Sequence, residues 1–396
     1  MDKDFEVVIL SACRTPIGAF GGALKDVGAV DLAAVVIREA IARAAVKPAE
    51  VGDVIMGCVL QAGAGMNVAR QAGLKAGLPV DVPGETVNRV CGSGLQSVVH
   101  AVEAIRVGYV DTIVAGGTES MSNAPYLLPG ARWGYRMGNA ELIDSMLHEG
   151  LTCAIAACHM GITAEEVATR YNVSRADQDA FAAESQQRAV RAMTDGRFTD
   201  EIVPVAVPQR KGDPILVDTD EYPRAGTTAE KLAALKPAFK KDGSVTAGNS
   251  SGINDGAAAL VVTTAAKATK VGTKPLARIL SYVSTGVEPK IMGIGPVPAT
   301  KKILDATGLS IEDFDVIEVN EAFAAQVIAC ERELKFDRDK LNRKGGGISL
   351  GHPIGMSGAR LILTAAYELR ERGLSLALAT LCISGGQGLA VVLERA

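Results

Sequence analysis

The sequence has no hydrophobic run long enough to span a bilayer and no marked excess of either charge. Among its 396 residues, 41 are Lys or Arg and 45 are Asp or Glu, which gives a formal net charge of -4. This balance argues against nucleic acid as the main partner. Residues 1–4 are charged and resemble neither a signal peptide nor a transit peptide. We therefore expect a cytoplasmic protein without nucleic-acid or membrane partners.

Histidine is scarce, with 4 in the chain, and the 7 cysteines show no spacing typical of a disulfide framework or a metal centre. Cys153, Cys158 and His159 lie close together in the sequence, but no second pair of ligands accompanies them. We interpret this group as structural and expect no bound metal. The scattered thiols are typical of a protein from a reducing compartment.

Hydrophobic residues make up 48% of the chain, which permits a large core and excludes general disorder. Short β-rich runs alternate with helical ones, and this alternation is typical of an α/β fold. Strands are predicted at residues 7–11, 54–58, 112–115, 260–263, 278–282, 316–319, 377–381 and 390–393. The polar residues that precede helical stretches predict an N-cap at Asp31, a capping box from Thr163 to Glu166, and the start of another helix at Ser174 and Asp177.

The chain repeats itself. Residues 50–55 resemble residues 312–317, and Cys91 precedes one helical stretch as His352 precedes another, at nearly the same offset. An ancient duplication leaves such a pattern. We expect one α/β half at residues 1–118 plus 249–270 and a second half at residues 271–396. The unrepeated, proline-rich residues 119–248 are expected to form an inserted loop domain that carries substrate binding.

The stretch 87–94 ends an apolar run in Cys91, and two glycines and a helical pattern follow. A cysteine at a helix N-terminus is favoured as a thiolate and hence as a nucleophile. A small buried hydrophobic residue is an equally good interpretation of Cys91 from this stretch alone.

Three further polar side chains stand at strand ends or in glycine-rich turns. Asn320 follows the strand 316–319, where it serves either as a hydrogen-bond donor to a ligand or as a turn residue. His352 lies among five glycines between residues 345 and 355 and is a candidate general base, or else a structural histidine. Cys382 precedes a glycine turn, and a phosphate loop is disfavoured there because the glycine spacing is wrong.

Taken in order, these motifs closely resemble the thiolase family. The matching stretches are 87–94 (VNRVCGSG), 320–324 (NEAFA), 351–355 (GHPIG) with 357–360 (SGAR), and Cys382 with 385–388 (GGQG). The resemblance extends from residue 8 to the C-terminus. It implies a duplicated five-layer αβαβα fold with an inserted loop domain.

The resemblance also implies an acyltransferase mechanism. Cys91 takes the acyl group of an acyl-CoA as a thioester, and His352 activates the thiol. Cys382 removes an α-proton from acetyl-CoA, and the carbanion attacks the acyl group on Cys91. His352 and a water on Asn320 hold the enolate oxygen, while the backbone N–H groups of Cys91 and Ser384 hold the acyl oxygen. No metal or redox cofactor is implied.

Coenzyme A contacts carry over from the family onto seven positions. They are Arg224, Ser251, His159, Met160, Phe239, Ala247 and Phe323. The sequence departs from the family at Ser384, where a glycine is usual, and at Lys344, where asparagine is common. Ser384 brings a Cβ to the acyl-oxygen site, which is unstrained only if its φ is negative.

The stretch 159–165 resembles the short-chain, biosynthetic thiolases, which join two acetyl-CoA molecules into acetoacetyl-CoA and CoA. A degradative thiolase acting on a broader range of 3-ketoacyl-CoA chains is the alternative, and a non-catalytic acyl-CoA-binding protein is a remote one. Related proteins imply a homodimer or homotetramer.

Overall fold

The computed structural model describes residues 6–396, so the charged opening stretch 1–4 lies outside the described part. The strands, in chain order, are β1 (Val7–Arg14), β2 (Gly18–Ala19), β3 (Asp53–Gly57), β4 (Gly84–Val87), β5 (Thr112–Ser120), β6 (Tyr126–Leu127), β7 (Ile143–Asp144), β8 (Thr152–Cys153), β9 (Cys158–His159), β10 (Val205–Val207), β11 (Ile215–Val217), β12 (Asn254–Thr264), β13 (Ala277–Gly286), β14 (Val316–Val319), β15 (Leu376–Ile383) and β16 (Gln387–Arg395). The α-helices are α1 (Ala29–Ala44), α2 (Val68–Ala76), α3 (Ser93–Arg106), α4 (Met160–Arg170), α5 (Arg175–Thr194), α6 (Ala229–Ala233), α7 (Ala265–Val271), α8 (Pro296–Thr307), α9 (Ala324–Leu334), α10 (Gly347–Leu350) and α11 (Ile354–Arg372).

The main sheet has the order β14-β15-β16-β13-β1-β12-β5-β3-β4, with β2 paired to β12. The two halves of the sheet have the same strand arrangement when each is read outward from the centre. One half runs β13, β16, β15 and β14, and these strands correspond in that order to β1, β12, β5 and β3 of the other half. Within the sheet, the two halves join where β1 pairs with β13, at Val8–Arg278 and Ile9–Ala277. This symmetry is the structural form of the repeat in the sequence.

The structure has five layers, in the order helices, sheet half, helices, sheet half, helices. Three apolar clusters lie between these layers. The outer clusters pack α1 and α2 against one half of the sheet and α8 and α9 against the other. The largest cluster lies between the halves and contains the inner strand faces together with α3 and α11. Helix α11 is buried from Ile354 to Leu369, which is typical of a helix enclosed on all sides. The predicted duplicated αβαβα fold is therefore confirmed.

The predicted strands all exist, and most are longer than the patterns indicated. Helix α1 begins two residues before Asp31, so the predicted N-cap is wrong; Asp31 lies in the first turn and its carboxylate pairs with Lys75. The capping box at Thr163 is also wrong, because α4 begins at Met160 and Thr163 donates to the Met160 carbonyl instead. The helix start predicted at Ser174 and Asp177 is confirmed, and these two residues form a capping box there.

The predicted insertion, residues 119–248, contains short hairpins, the long helix α5 and a π-helix at Met146–Leu151. Strand β12 follows it and pairs with both β1 and β5. The exact domain boundaries stay a prediction. In residues 6–396, no helix combines the length and the hydropathy that crossing a membrane requires.

Candidate active site

The site is positioned by an unusually close crossing of the two central helices, α3 and α11. A Cβ on Gly94 would lie 2.6 Å from the Gly355 carbonyl oxygen, and one on Gly358 would lie 2.4 Å from the Leu95 nitrogen. Only glycine permits this approach of backbone to backbone. Because Cys91 precedes α3 and His352 precedes α11, the crossing brings both residues to the same end of the central layer.

Cys91 follows a sharp turn at the end of β4. Val90 has a φ of 47°, which is rare for a β-branched residue and marks backbone strain. The hydroxyl of Ser93 holds the turn by accepting from the Arg89 N–H at 2.8 Å and donating to the Val90 carbonyl at 2.6 Å. The strain is thus held at one residue before the thiol, which fixes the direction of the Cys91 side chain.

The Cys91 thiol is buried and is protonated at neutral pH. Burial raises its pKa to about 11, although the backbone N–H groups of Ser384 and of Cys91 itself face the sulfur and lower it. Burial also raises the pKa of Cys382, and the neighbouring Cys91 raises it further. Two N–H donors therefore converge on the Cys91 sulfur, where the thioester oxygen of an acylated Cys91 is expected.

His352 is held between two polar side chains. Its Nδ1 lies 2.5 Å from the Ser357 hydroxyl, which donates its own proton to the Pro353 carbonyl at 2.9 Å. The hydroxyl can then only accept from Nδ1, so the proton belongs on Nδ1 and Nε2 keeps its lone pair. Burial, followed by the charge of Arg360, lowers the His352 pKa to about 4. This neutral tautomer is the one that a general base requires.

Asn320 lies at the end of β14 and faces the histidine. Its Nδ2 is 3.5 Å from Nε2 of His352. Its Oδ1 is buried and has no hydrogen-bond partner within residues 6–396, although a buried amide oxygen is normally paired. This oxygen is therefore available to a water molecule or a ligand.

A cavity of about 440 Å³ leads from the surface to His352. All seven residues predicted to contact coenzyme A line this cavity: Arg224, Ser251, His159, Met160, Phe239, Ala247 and Phe323. Cys382 packs behind the wall in one apolar cluster with Met160 and Phe323. Cys91 and Asn320 are also buried rather than part of the lining.

The aromatic wall of the cavity is ordered by His159. Its Nδ1 accepts the Gly161 N–H at 3.0 Å and so caps α4. Its ring stacks on Phe239 with centroids 4.9 Å apart, and Phe239 meets Phe323 edge-on at 6.2 Å. Because Nδ1 is occupied as an acceptor, the neutral ring carries its proton on Nε2. Burial lowers the His159 pKa, which favours this neutral form.

At the mouth of the cavity, Arg224 is exposed and has no carboxylate partner within residues 6–396. Its guanidinium lies 5.5 Å from the ring of Tyr222. Ser251 is fixed from the other side, since its N–H donates to the Ala322 carbonyl at 2.9 Å. A free guanidinium at the mouth of an apolar channel suits an anionic group at the far end of a long ligand.

Two family models together match nearly all of the described chain. Residues 7–266 match the model for "Thiolase, N-terminal domain", and residues 273–395 match "Thiolase, C-terminal domain". The chain belongs to the thiolase family. The family predicted from the sequence motifs is therefore confirmed.

Individual relatives cover nearly the entire length. An acetyl-CoA acetyltransferase of Chromobacterium violaceum is 55% identical over 98% of this chain and 100% of its own length. The acetyl-CoA acetyltransferase of Escherichia coli is also 55% identical, over 98% of each chain. The crystal structure of the Bacillus anthracis acetyl-CoA acetyltransferase superposes with a TM-score of 0.97 at 48% identity and covers 99% of both chains.

The two departures from the usual thiolase pattern are accommodated. Ser384 is not among the residues with positive φ, whereas Gly385 and Gly386 have φ of 83° and 82°. The side chain at Ser384 is thus unstrained, and the backbone N–H is retained. Lys344 is buried and its ammonium lies 3.0 Å from Glu201 and 3.5 Å from Glu368. It joins the inserted region to α11, away from the cavity.

Sequence reasoning missed Glu119 and Asn254, which hold the site together. The Glu119 carboxylate accepts the N–H of Leu60 at 3.0 Å and that of Gly355 at 2.8 Å, and so ties the loop after β3 to α11. Asn254 accepts the His352 N–H at 2.9 Å. Neither residue belongs to a motif or stands in a glycine turn, so the sequence offered no signal for them.

Replacing Ser357 by alanine is expected to lower kcat by roughly tenfold to a hundredfold, because the His352 proton is then free to move to Nε2. This loss is smaller than the 10²–10⁴-fold that a general base typically contributes. Ser357→Thr, which keeps the hydroxyl, is the matched control and should retain most of the activity. The measurement is kcat as a function of pH, because a change in packing alone would not alter the shape of this profile. An unchanged profile and kcat in Ser357→Ala would contradict the tautomer assignment.

Proposed function

We propose that this thiolase is an acetyl-CoA C-acetyltransferase that reversibly condenses two acetyl-CoA molecules to acetoacetyl-CoA and CoA through an acyl-Cys91 intermediate. The main support for the proposal is that the seven residues predicted to contact coenzyme A line the same cavity as His352. The names of the full-length relatives agree with this reaction and do not favour the broader degradative alternative.

In the first half-reaction, the Cys91 sulfur attacks the thioester carbonyl of acetyl-CoA and His352 Nε2 accepts the thiol proton. Because the Cys91 pKa is about 11 and the His352 pKa about 4, this proton moves during attack rather than beforehand. The N–H groups of Cys91 and Ser384 receive the developing oxyanion. Such fixed donors typically contribute about 3 kcal/mol each. The proton on His352 then leaves with the CoA thiol.

In the second half-reaction, a second acetyl-CoA enters the same cavity. Cys382 removes a proton from its methyl group, and the enolate oxygen is held by His352 and by a water on Asn320. A thiolate whose pKa is raised is a stronger base, which suits the weak acidity of a thioester methyl group. The carbanion attacks the acyl carbon, acetoacetyl-CoA forms as the Cys91 thiolate departs, and the proton that Cys382 accepted passes to that thiolate, which restores both cysteines for the next turnover.

The reaction as written needs no metal or redox cofactor, since Cys91, His352, Cys382 and Asn320 supply the nucleophile, the bases and the oxyanion contacts. We further propose a cytoplasmic homodimer or homotetramer that serves the two-carbon steps of fatty acid metabolism. Its partners are acetyl-CoA, acetoacetyl-CoA and CoA, without nucleic acid or membrane.

Specificity for the shortest acyl chain tests the proposal. His159, Phe239 and Phe323 line the cavity that leads to His352 and limit its width, so each added methylene group is expected to cost roughly 1–3 kcal/mol. The measurement is kcat/KM for thiolysis of 3-ketoacyl-CoAs of increasing length, followed by the enolate absorbance. Met160→Ala, which shortens one wall, should improve the longer substrates relative to acetoacetyl-CoA. A flat length profile in the wild-type enzyme would favour the degradative class, and no turnover at all would favour a carrier.

A further inference from the structure

Two cysteines outside the catalytic group face each other across the hairpin that leads into α4. Cys153 on β8 is the direct partner of Cys158 on β9. Directly opposed residues of an antiparallel pair point to the same face with Cβ atoms about 4.5–5.5 Å apart. A disulfide requires Cβ atoms about 3.5–4.5 Å apart, so a small approach of the two strands suffices.

Both thiols are free, and one of them is reachable from solvent. Cys153 is buried and its sulfur accepts the Ala156 N–H at 3.2 Å, whereas Cys158 is only partly buried. Burial and the nearby Cys153 raise the Cys158 pKa, while Lys290 lowers it. This arrangement provides an attacking thiol at the surface and a resolving thiol directly behind it.

The hairpin belongs to the wall of the coenzyme A cavity. Cys153 packs in the same apolar cluster as Met160 and Phe323. Cys158 directly precedes His159, whose ring stacks on Phe239 and whose Nδ1 caps α4. Drawing the two strands together therefore moves the backbone next to His159.

We propose that Cys153 and Cys158 are an oxidation site, in which a low-molecular-weight disulfide converts them to a reversible intramolecular disulfide distinct from the catalytic thiols. The Cys158 thiolate attacks one sulfur of the small disulfide and releases one small thiolate. Cys153 then loses its proton and attacks the Cys158 sulfur of the mixed disulfide, which releases the second. The two protein thiols are oxidised and the small disulfide is reduced to two thiols.

The expected consequence is weaker substrate binding with little change in chemistry. Displacing His159 loosens the stacked wall, so the KM for acetyl-CoA should rise several-fold while kcat is nearly unchanged. This kinetic part rests on the proposed function, whereas formation of the bond does not. The raised pKa of Cys158 makes the reaction slow at neutral pH and faster as the pH rises.

The experiment treats the native, full-length protein with oxidised glutathione at mildly alkaline pH, blocks the remaining thiols, and maps the tryptic peptides without reduction. Cys153 and Cys158 share the peptide 137–170, so their disulfide appears as the loss of two hydrogens in one peptide. Cys91 and Cys382 lie on the separate peptides 90–106 and 373–395, so a bond between them appears as a cross-link. We expect the two-hydrogen loss, its reversal by dithiothreitol, and its absence in Cys158→Ser.

Comparing treated wild type with treated Cys158→Ser isolates the kinetic effect, because oxidation of the catalytic thiols affects both proteins alike. A KM increase confined to wild type supports the proposal, and an unchanged KM despite the disulfide overturns its link to the cavity. Only a cross-link between 90–106 and 373–395, only a glutathione adduct on Cys158, or no oxidation of peptide 137–170 would overturn the site itself. If the untreated enzyme has no thiolase activity, the proposed function fails while the peptide result still decides the bond.

Discussion

Replacing Cys91 by alanine is expected to abolish both acetyl transfer to the protein and acetoacetyl-CoA synthesis. The loss in kcat should be about 10⁴-fold or more, because the N–H groups of Cys91 and Ser384 face the sulfur that the variant lacks. Incubation with labelled acetyl-CoA, an acid quench and peptide mapping should find the acetyl group on peptide 90–106 of the wild type and nowhere in the variant.

The matched control is Cys13→Ala. Cys13 is also fully buried, but it lies in the outer cluster against α1 and has no contact with the cavity. Both variants lose a buried sulfur and should unfold at similar temperatures, whereas only Cys91→Ala should lose acetylation. Acetyl on Cys382 in the wild type, with none on Cys91, would reverse the assignment of the two cysteines.

The turns that carry Cys91 and His352 were predictable from the sequence, because glycine occurs where two backbone segments approach closely. The glycines around Cys91 and His352 indicated sharp turns before two helices, and the repeat implied that the two turns correspond. The structure adds the reason, since Gly94, Gly355 and Gly358 let α3 and α11 cross in contact. Such a pattern is visible in a sequence because no other residue substitutes for glycine there.

Other features could not be predicted because they depend on residues far apart in the chain. Nothing in the sequence marks Val90 as the strained residue, since valine ordinarily avoids positive φ. The partners of Lys344 lie at Glu201 and Glu368, in the inserted region and on α11. The N-cap predicted at Asp31 was wrong because tertiary packing extends α1 by two residues, and the carboxylate then pairs with Lys75.

Replacing Cys382 by alanine should separate the two half-reactions. Acyl transfer requires only Cys91 and His352, so labelled acetyl should still reach Cys91 at a measurable rate. Carbon–carbon bond formation also requires removal of a methyl proton, so acetoacetyl-CoA synthesis should fall by about 10²–10⁴-fold, the usual contribution of a positioned base. Exchange of acetyl-CoA methyl protons with heavy water should be lost in parallel. Circular dichroism and thermal unfolding establish first that the variant is folded, because Cys382 fills space beside Met160 and Phe323.

The pH dependence of the same exchange gives a second test with a definite sign. Because the Cys382 pKa lies well above its ordinary value, the thiol is protonated at neutral pH and its thiolate fraction grows as the pH rises. Methyl-proton exchange by the wild-type enzyme should therefore increase from neutral to mildly alkaline pH. His352 does not oppose this trend, since its pKa of about 4 keeps the imidazole neutral throughout. Exchange that is independent of pH, or synthesis at a near wild-type rate in Cys382→Ala, would show that another group removes the α-proton.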